Sequence, residues 1–492
     1  MNNKRAALFI NVTGKSLFLL ALAMAVGQAV PPARAQTAKT SPGLLNEWLV
    51  NQEPAFKAWD LGLQSRVRQE FKWGAGIAAG SDFRRDNADD RNYYFLYRLK
   101  PHLGYSRDWF GFYVEGRHSG SLDDDRGPRN PEADPMDLHQ AYLNFGDPKA
   151  FPLTLKVGRQ ELSYGEERLV GAFAWNNIGR VFDAAKLTLH REKITVDAFA
   201  SMLTIVDQHN LNYPNNHDWF FGAYATWRAL PTHSLDLFFL SRNAGVQSAF
   251  TAARSLAGVP SPRDIYTCGL RLKSAPGRLG GWDYAMDLMG QFGGFNDPLA
   301  PGAKRLRHEA YAAILQAGYT FKDAPFQPRL GLEYAYATGD GNATDGRHGT
   351  FENLFPTNHK FYGYMDMVSL QNIHNLKAAV ALKPVAKLKL TLDYHAFWLA
   401  RAADHFYAVS GARRAATLAA TPGTGYGINP GYSPYVGSEI DLVASYALHP
   451  AATLEAGYGH FFRGRYLRQT FSGAGFGSRD ADYLYLQASL NF

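Results

Sequence analysis

From about residue 61 the chain divides into segments of roughly ten residues in which apolar and polar positions alternate. In the first, Leu61, Leu63, Val67 and Phe71 occupy odd positions, while Gln64, Arg66, Arg68 and Glu70 fill even ones. The next sets Tyr93, Phe95, Tyr97, Leu99, Leu103 and Tyr105 against Arg98, Lys100 and His102. Further along, Leu388, Leu390, Leu392 and Tyr394 alternate with Lys389, Thr391, Asp393 and His395. Successive side chains of a strand point to opposite faces, so each segment carries one apolar and one charged face. This reading predicts about 18 strands, the first near 61–71 and the last near 481–492.

A soluble sandwich would alternate in the same way, and the connections separate the two cases. Short ones are expected at 106–108, 146–152, 191–193, 230–233, 274–281, 322–327, 384–386 and 449–452. Long ones fall between them, at 72–91, 120–136, 161–180, 204–218, 243–264, 293–308, 338–372, 400–435 and 463–480. Strict short/long alternation with an even strand count predicts an all-β fold. It is a transmembrane antiparallel β-barrel with short periplasmic turns and long extracellular loops. Aromatic residues at strand ends, such as Trp109-Phe110, Trp219-Phe220-Phe221, Trp282 and Trp398, fit interfacial girdles. The last strand ends on Phe492, a terminal aromatic of the kind presented to the barrel-assembly machinery. Sixteen to eighteen strands leave an aqueous channel rather than a side-chain-filled core. The expected lumen is therefore wet.

Composition agrees. Mean hydropathy is −0.28, too low for a bundle of apolar helices of ~20 residues each. With 27 Tyr, 32 Phe and 9 Trp the chain can bury ample surface. One cysteine, Cys268, excludes an internal disulfide framework. The net charge of +7 is partly a property of the leader, since residues 1–35 hold Lys4, Arg5, Lys15 and Arg34 and no acid. The rest has 47 basic against 44 acidic residues, which gives no case for nucleic acid. Lys4-Arg5, the apolar run Leu17–Val26 and Ala33-Arg34-Ala35 predict a signal peptide over 1–35, cleaved near Ala35. Residues 36–60 are then a periplasmic N-terminal segment. Its Leu44, Leu45, Trp48 and Leu49 would cluster on a helix and could dock a periplasmic scaffold. The barrel takes up 61–492 and faces outer-membrane lipid.

No catalytic constellation emerges. The sequence has no H-E-x-x-H, no G-x-S-x-G and no phosphate-binding glycine loop, so no enzyme is expected. Calcium is the one cofactor considered. Its candidate ligands are Asp123-Asp124-Asp125 and, in a second loop, Asp340, Asn342 and Asp345. A solvated loop explains both clusters more simply. The second lacks a closing Glu, because Phe351 stands in that place. The inward faces carry nearly balanced charge, expected to form a cross-lumen ion-pair lattice. Arg66, Arg68, Arg98, Lys100 and Arg117 concentrate basic charge on the first three strands, and Arg271 and Arg329 add to the wall.

Three stretches resemble the bacterial alginate-export family of outer-membrane proteins. They are Lys156-Val-Gly-Arg-Gln-Glu-Leu-Ser-Tyr-Gly-Glu-Glu-Arg168 with Trp175-Asn-Asn-Ile-Gly-Arg-Val-Phe-Asp183, then Thr338-Gly-Asp-Gly-Asn342 running into Phe351–Asp366, and Gly437-Ser-Glu-Ile-Asp441 with Gly457–Phe462. The resemblance implies a monomeric barrel of 18 strands conducting an anionic uronate polysaccharide, with arginines along the lumen and loops able to occlude it. Within the matching motifs it points to Arg159, Arg168, Arg180 and Asp183 at the third long loop, and to Glu439 and Asp441 on the sixteenth strand. A planar guanidinium pairs bidentately with carboxylates and stays charged at any working pH. The balanced lumen keeps a second expectation open, a general or oligosaccharide-selective porin on the same scaffold.

Overall fold

The structure is a computed structural model that describes residues 43–74, 83, 91–127, 132–248, 261–297, 305–359, 361–414, 425–472 and 480–492. The leader predicted over 1–35 lies outside the described residues.

Eighteen long strands form one closed antiparallel barrel. They are β1 (Trp59–Trp73), β2 (Arg91–Arg107), β3 (Phe110–Leu122), β4 (Asp134–Phe145), β5 (Leu153–Gln160), β6 (Phe182–His190), β7 (Ile194–Ile205), β8 (Tyr213–Trp227) and β9 (His233–Ala244). The series continues with β10 (Arg263–Ser274), β11 (Trp282–Asn296), β12 (Arg305–Thr320), β13 (Arg329–Ala337), β15 (Ile373–Val385), β16 (Leu388–Leu399), β17 (Tyr435–His449), β18 (Ala452–Arg463) and β19 (Ala481–Asn491). The remaining strand, β14, is the residue pair Arg347–His348 inside a long loop, lying parallel to β12. Each long strand pairs with its sequence neighbour, and β19 returns to β1 with Gln64 opposite Asn491. Phe492 completes the seam by exchanging two backbone hydrogen bonds with Leu63, each 2.8 Å. Closure leaves no unpaired edge, a requirement in hydrocarbon.

Alternation along the strands sorts the side chains as the sequence predicts. On β1, Arg66, Arg68, Glu70 and Lys72 point inward and are buried, while the odd positions face outward. The outer wall exposes Leu332, Leu392, Leu442 and Leu486 among others, the surface lipid must cover. Leu486 lies mid-strand and is 50% exposed. Leu486→Arg is expected to cost ~2–4 kcal/mol of stability in bilayers. A folded fraction in lipid equal to wild type would contradict the outward assignment.

Below the short-turn end, residues Leu44–Gln52 form a helix, followed by a 3₁₀ turn over Pro54–Ala58. Asn46 on this helix is buried and accepts the Leu61 N–H, which fixes the helix to the start of β1. Trp48 remains exposed.

The lumen departs from the wet channel expected. Its long-loop half is filled by described residues of the loops 161–181, 338–372 and 400–434, which fold inward. They bring apolar side chains of their own (Leu162, Leu169, Val170, Phe351, Leu354, Phe355, Met367 and Phe406), and these join inward-facing Phe182, Phe220, Ile265 and Phe397 in one buried cluster.

Candidate functional site

The inward-folded loops and the wall that grips them form the candidate site. Loop 161–181 crosses the lumen, and five consecutive carbonyls on it accept hydrogen bonds from β1–β3. Arg66 donates to Ala174 (2.8 Å) and Asn176 (3.2 Å), and Arg98 donates to the same two carbonyls at 3.1 and 3.2 Å. Arg68 reaches Trp175 O at 3.0 Å, Ser119 reaches Asn177 O at 2.8 Å and Arg117 reaches Ile178 O at 2.9 Å. Irregular backbone inside a barrel must find partners, and here the wall arginines supply them. Asn177 returns the grip, since its Nδ2 donates to the carbonyls of Tyr97, Gly120 and Glu132. Sequence reasoning passed over Asn177. Its position between Trp175 and Gly179 in a polar run was the available signal.

Loops 161–181 and 338–372 join edge to edge. Val170 and Phe355 form a parallel bridge, with Phe355 N–H on Leu169 O (2.8 Å) and Gly171 N–H on Phe355 O (2.9 Å). Arg180 ties the junction by donating to the carbonyls of Gly171 (3.0 Å), Phe355 and Pro356 (2.9 Å). Burial, followed by the charge of Arg242, pushes the Arg180 guanidinium down to about 10, so it remains a cation. The indole of Trp175 is held between the Arg68 guanidinium and the His359 ring, each 3.8 Å from its centroid. Beneath loop 161–181 lies a cavity of about 230 Å³ lined by Arg117, Arg180, Asn176 and Asn212.

Loop 338–372 is anchored on the opposite wall. Gln291 of β11 imitates a strand, accepting Glu352 N–H at 2.7 Å and donating to Glu352 O at 2.9 Å. The Glu352 carboxylate meets Arg263 at 2.9 Å. His308 and His348 face each other through Nδ1 at 2.9 Å, and His308 Nε2 lies 3.2 Å from Gln291 Oε1. That oxygen is an acceptor, so His308 Nε2 carries the proton and its Nδ1 accepts; His348 Nδ1 must then donate. At the far end, Met365 N–H donates to Glu439 at 2.8 Å and Tyr364 N–H to Asp441 at 3.4 Å. Gly363 makes the approach possible. Its φ is 91°, and a Cβ there would collide with the Glu439 carboxylate.

Most of the other lumen cations are paired. Lys100 meets Glu115 at 2.8 Å, Arg168 meets Glu333 at 2.6 Å and Arg271 meets Glu166 at 2.7 Å. Arg329 lies 3.1 Å from Asp283, and Arg242 is bidentate with Asp218 at 3.0 and 2.6 Å. Arg117 also pairs with Asp134. Two residues suggested by the resemblance sit elsewhere. Arg159 lies one residue before the end of β5 and Asp183 one residue after the start of β6, directly opposite each other and ion-paired at 2.8 Å. Both take the outward parity of Leu155, Val157 and Leu187, while their neighbours Gln160 and Phe182 face in. They brace the rim of the wall rather than line the lumen, and Arg180 is not the partner of Asp183.

Asp340, Asn342 and Asp345 spend their oxygens locally. Asp340 accepts Asn342 N–H and Gly349 N–H, Asn342 accepts Thr344 N–H, and Asp345 pairs with Arg347 at 3.0 Å. Among the described residues no group of three or more His, Cys, Asp or Glu side chains is arranged to hold a metal ion.

Protonation bears on how tightly the loops sit. Burial pushes the Asp404 carboxyl up to about 6, although Thr350 and the backbone N–H groups of Asp340 and His405 hydrogen-bond to it. Burial pulls His405 down to about 3 and His348 well below the ordinary histidine value. The signs oppose. Asp404 takes up a proton on docking, worth ~3 kcal/mol in favour of docking below pH 4 and lost as pH rises through 6. Each histidine releases one, so its contribution is present above pH 6.5 and lost on acidification, worth ~5 kcal/mol for His405 alone. Through His405, loop docking is expected to weaken below about pH 6.5, with channel current rising. Asp404→Asn should strengthen the acid response and His405→Gln should blunt it. Loops that gain hydrogen-exchange protection on acidification would contradict this ordering.

The sequence profile described as "Alginate export" matches residues 58–475. No curated protein matches the chain. Among solved structures it is similar to three outer-membrane proteins of Pseudomonas aeruginosa. OpdQ shows 11% identity and a TM-score of 0.51, with 89% of this chain and 98% of that one covered. OccD3 shows 12% identity and a TM-score of 0.50, covering 94% and 95%. OccK1 also shows 12% and 0.50, covering 88% and 98%. At such identities the likeness is one of fold.

Proposed function

The chain belongs to the alginate-export family, and from that premise we propose that it is an outer-membrane channel conducting an anionic uronate polysaccharide, closed by its own loops in the state described. One observation carries the reading. Arg66, Arg98 and Arg180 spend their guanidiniums on neutral backbone carbonyls of the loops rather than on carboxylates. A carboxylate brings its own negative charge and two oxygens to the planar guanidinium fork, and so binds an arginine more strongly than a neutral carbonyl does. Uronate groups entering the lumen can therefore displace the loop carbonyls, and opening becomes coupled to the presence of polymer. Multiple weak sites along the wall then let the chain advance. In this reading the leader over 1–35 is removed on export, and the helix 44–52 with exposed Trp48 meets a periplasmic partner.

The second reading, a porin for general or oligosaccharide solutes, is favoured by the pairing of Lys100, Arg168, Arg242, Arg271 and Arg329 with acids. Planar-bilayer recordings under a salt gradient separate the two. Anion selectivity and block by oligouronates, both diminished in Arg66→Ala/Arg98→Ala, are expected of the polyuronate conduit. Little selectivity and no block would leave the porin.

A further inference from the structure

A pocket outside the barrel, at the long-loop rim, is unrelated to the lumen. It has a volume of about 610 Å³ and lies against the outward side chains of Tyr334 on β13, His374 on β15 and Trp398 on β16, roofed by Arg401, Pro430 and Tyr432 of the loop 400–434. Its floor belongs to an outward aromatic belt. Tyr336 and His374 rings lie 4.7 Å apart, Trp398 and Tyr435 5.5 Å, and the Tyr334 hydroxyl bonds His374 Nδ1 at 2.6 Å. Outward aromatics at this height mark the level where the outer leaflet's headgroups begin.

Arg401 distinguishes the pocket from the rest of the rim. The neighbouring outward arginines are neutralised: Arg305 pairs with Asp264, Arg307 with Glu309 at 3.0 Å and Arg347 with Asp345 at 3.0 Å. Arg401 is exposed and lines the pocket, and meets no carboxylate within ion-pair distance among the described residues. Its backbone is held rigidly all the same. Arg401 N–H donates to Asn372 Oδ1 at 2.8 Å, and Asn372 Nδ2 donates back to Arg401 O at 3.0 Å. Asn372 is fully buried. A cation fixed at its base, left without an acid and set over an aromatic floor presents a fork for phosphate beside faces that suit sugar rings and acyl methylenes.

We propose that this pocket docks the phosphorylated sugar headgroup of an outer-leaflet glycolipid, with Arg401 on a phosphate and Trp398 and Tyr432 against the sugar and the first acyl carbons. Charge complementarity and position together select this occupant, because the pocket opens toward lipid at headgroup depth and a soluble anion would find half of it apolar. The site would hold the described ends of this loop at the membrane surface from outside, while Phe406 and Tyr426 of the same loop join the buried cluster in the lumen.

The test uses the full-length protein in detergent micelles and a fluorescent bis-phosphorylated lipid A as probe. Saturable binding is expected, weakened about fivefold by Arg401→Gln, the effect of one charge contact near a membrane surface. Arg307→Gln, an exposed arginine at the same rim, should leave binding unchanged, and heat-modifiable mobility on gels verifies that both variants are folded barrels. Three results would each overturn the proposal: equal binding by Arg401→Gln, equal competition by phosphatidylglycerol, which lacks the phosphorylated disaccharide, or displacement by inorganic phosphate at matched concentration.

Discussion

Phe355→Ala should open the channel. The ring is buried between Phe182 and Phe220, with centroids at 5.3 and 4.9 Å, and the Arg242 guanidinium lies 4.3 Å from its centroid. Its backbone also forms the bridge to loop 161–181. Truncating a buried Phe costs about 3–5 kcal/mol. Here that loss falls on the docking of loops 161–181 and 338–372 and spares the barrel, whose wall hydrogen bonds are untouched. Single-channel conductance should rise several-fold with thermal stability of the barrel nearly unchanged. Wild-type conductance in Phe355→Ala would show that the loops are held by something other than this contact.

The second large effect falls on the wall itself. Arg242 and Asp218 form a bidentate pair with no exposure of either side chain. Arg242→Ala strands a carboxylate at the lumen wall, and breaking a buried pair in this way costs about 3–5 kcal/mol. Replacing both partners removes the stranded charge as well as the bond. Arg242→Leu/Asp218→Leu is therefore expected to recover most of the stability that Arg242→Ala loses, measured by urea unfolding in micelles. If the double replacement unfolds as readily as the single one, the pair itself, rather than the orphaned charge, is what the wall depends on.

The sequence makes the wall legible and leaves the lumen dark, for one physical reason. Alternation is a local property of each strand, so the run from Leu61 to Phe71 already implies β1 and its two faces. The expected short connection at 146–152 is the one found between β4 and β5. Where a long loop goes once it leaves the wall depends on partners far away in sequence. Arg66 and Ala174, or Glu439 and Met365, meet only in three dimensions. The strand β14 was unreadable in the same way, because His348 pairs with β12 across a loop. Arg159 and Asp183 teach the opposite lesson. Lys156 faces the lumen beside Tyr142, so the odd step of three positions turns Arg159 outward, and motif membership obscured that plain count.

The seam between β1 and β19 sets a kinetic problem. Gln64 finds its partner only when Asn491 has been made, so the closing contact spans nearly the whole chain and carries a loop-closure cost of about 5 kcal/mol before any hydrogen bond repays it. Until then two strand edges stay open, one from the beginning of synthesis. Such topologies fold slowly and aggregate readily. The backbone bonds that Phe492 makes to Leu63 are thus the last step of a slow search. A chain shortened by those final residues should stall as an open sheet rather than form a smaller barrel.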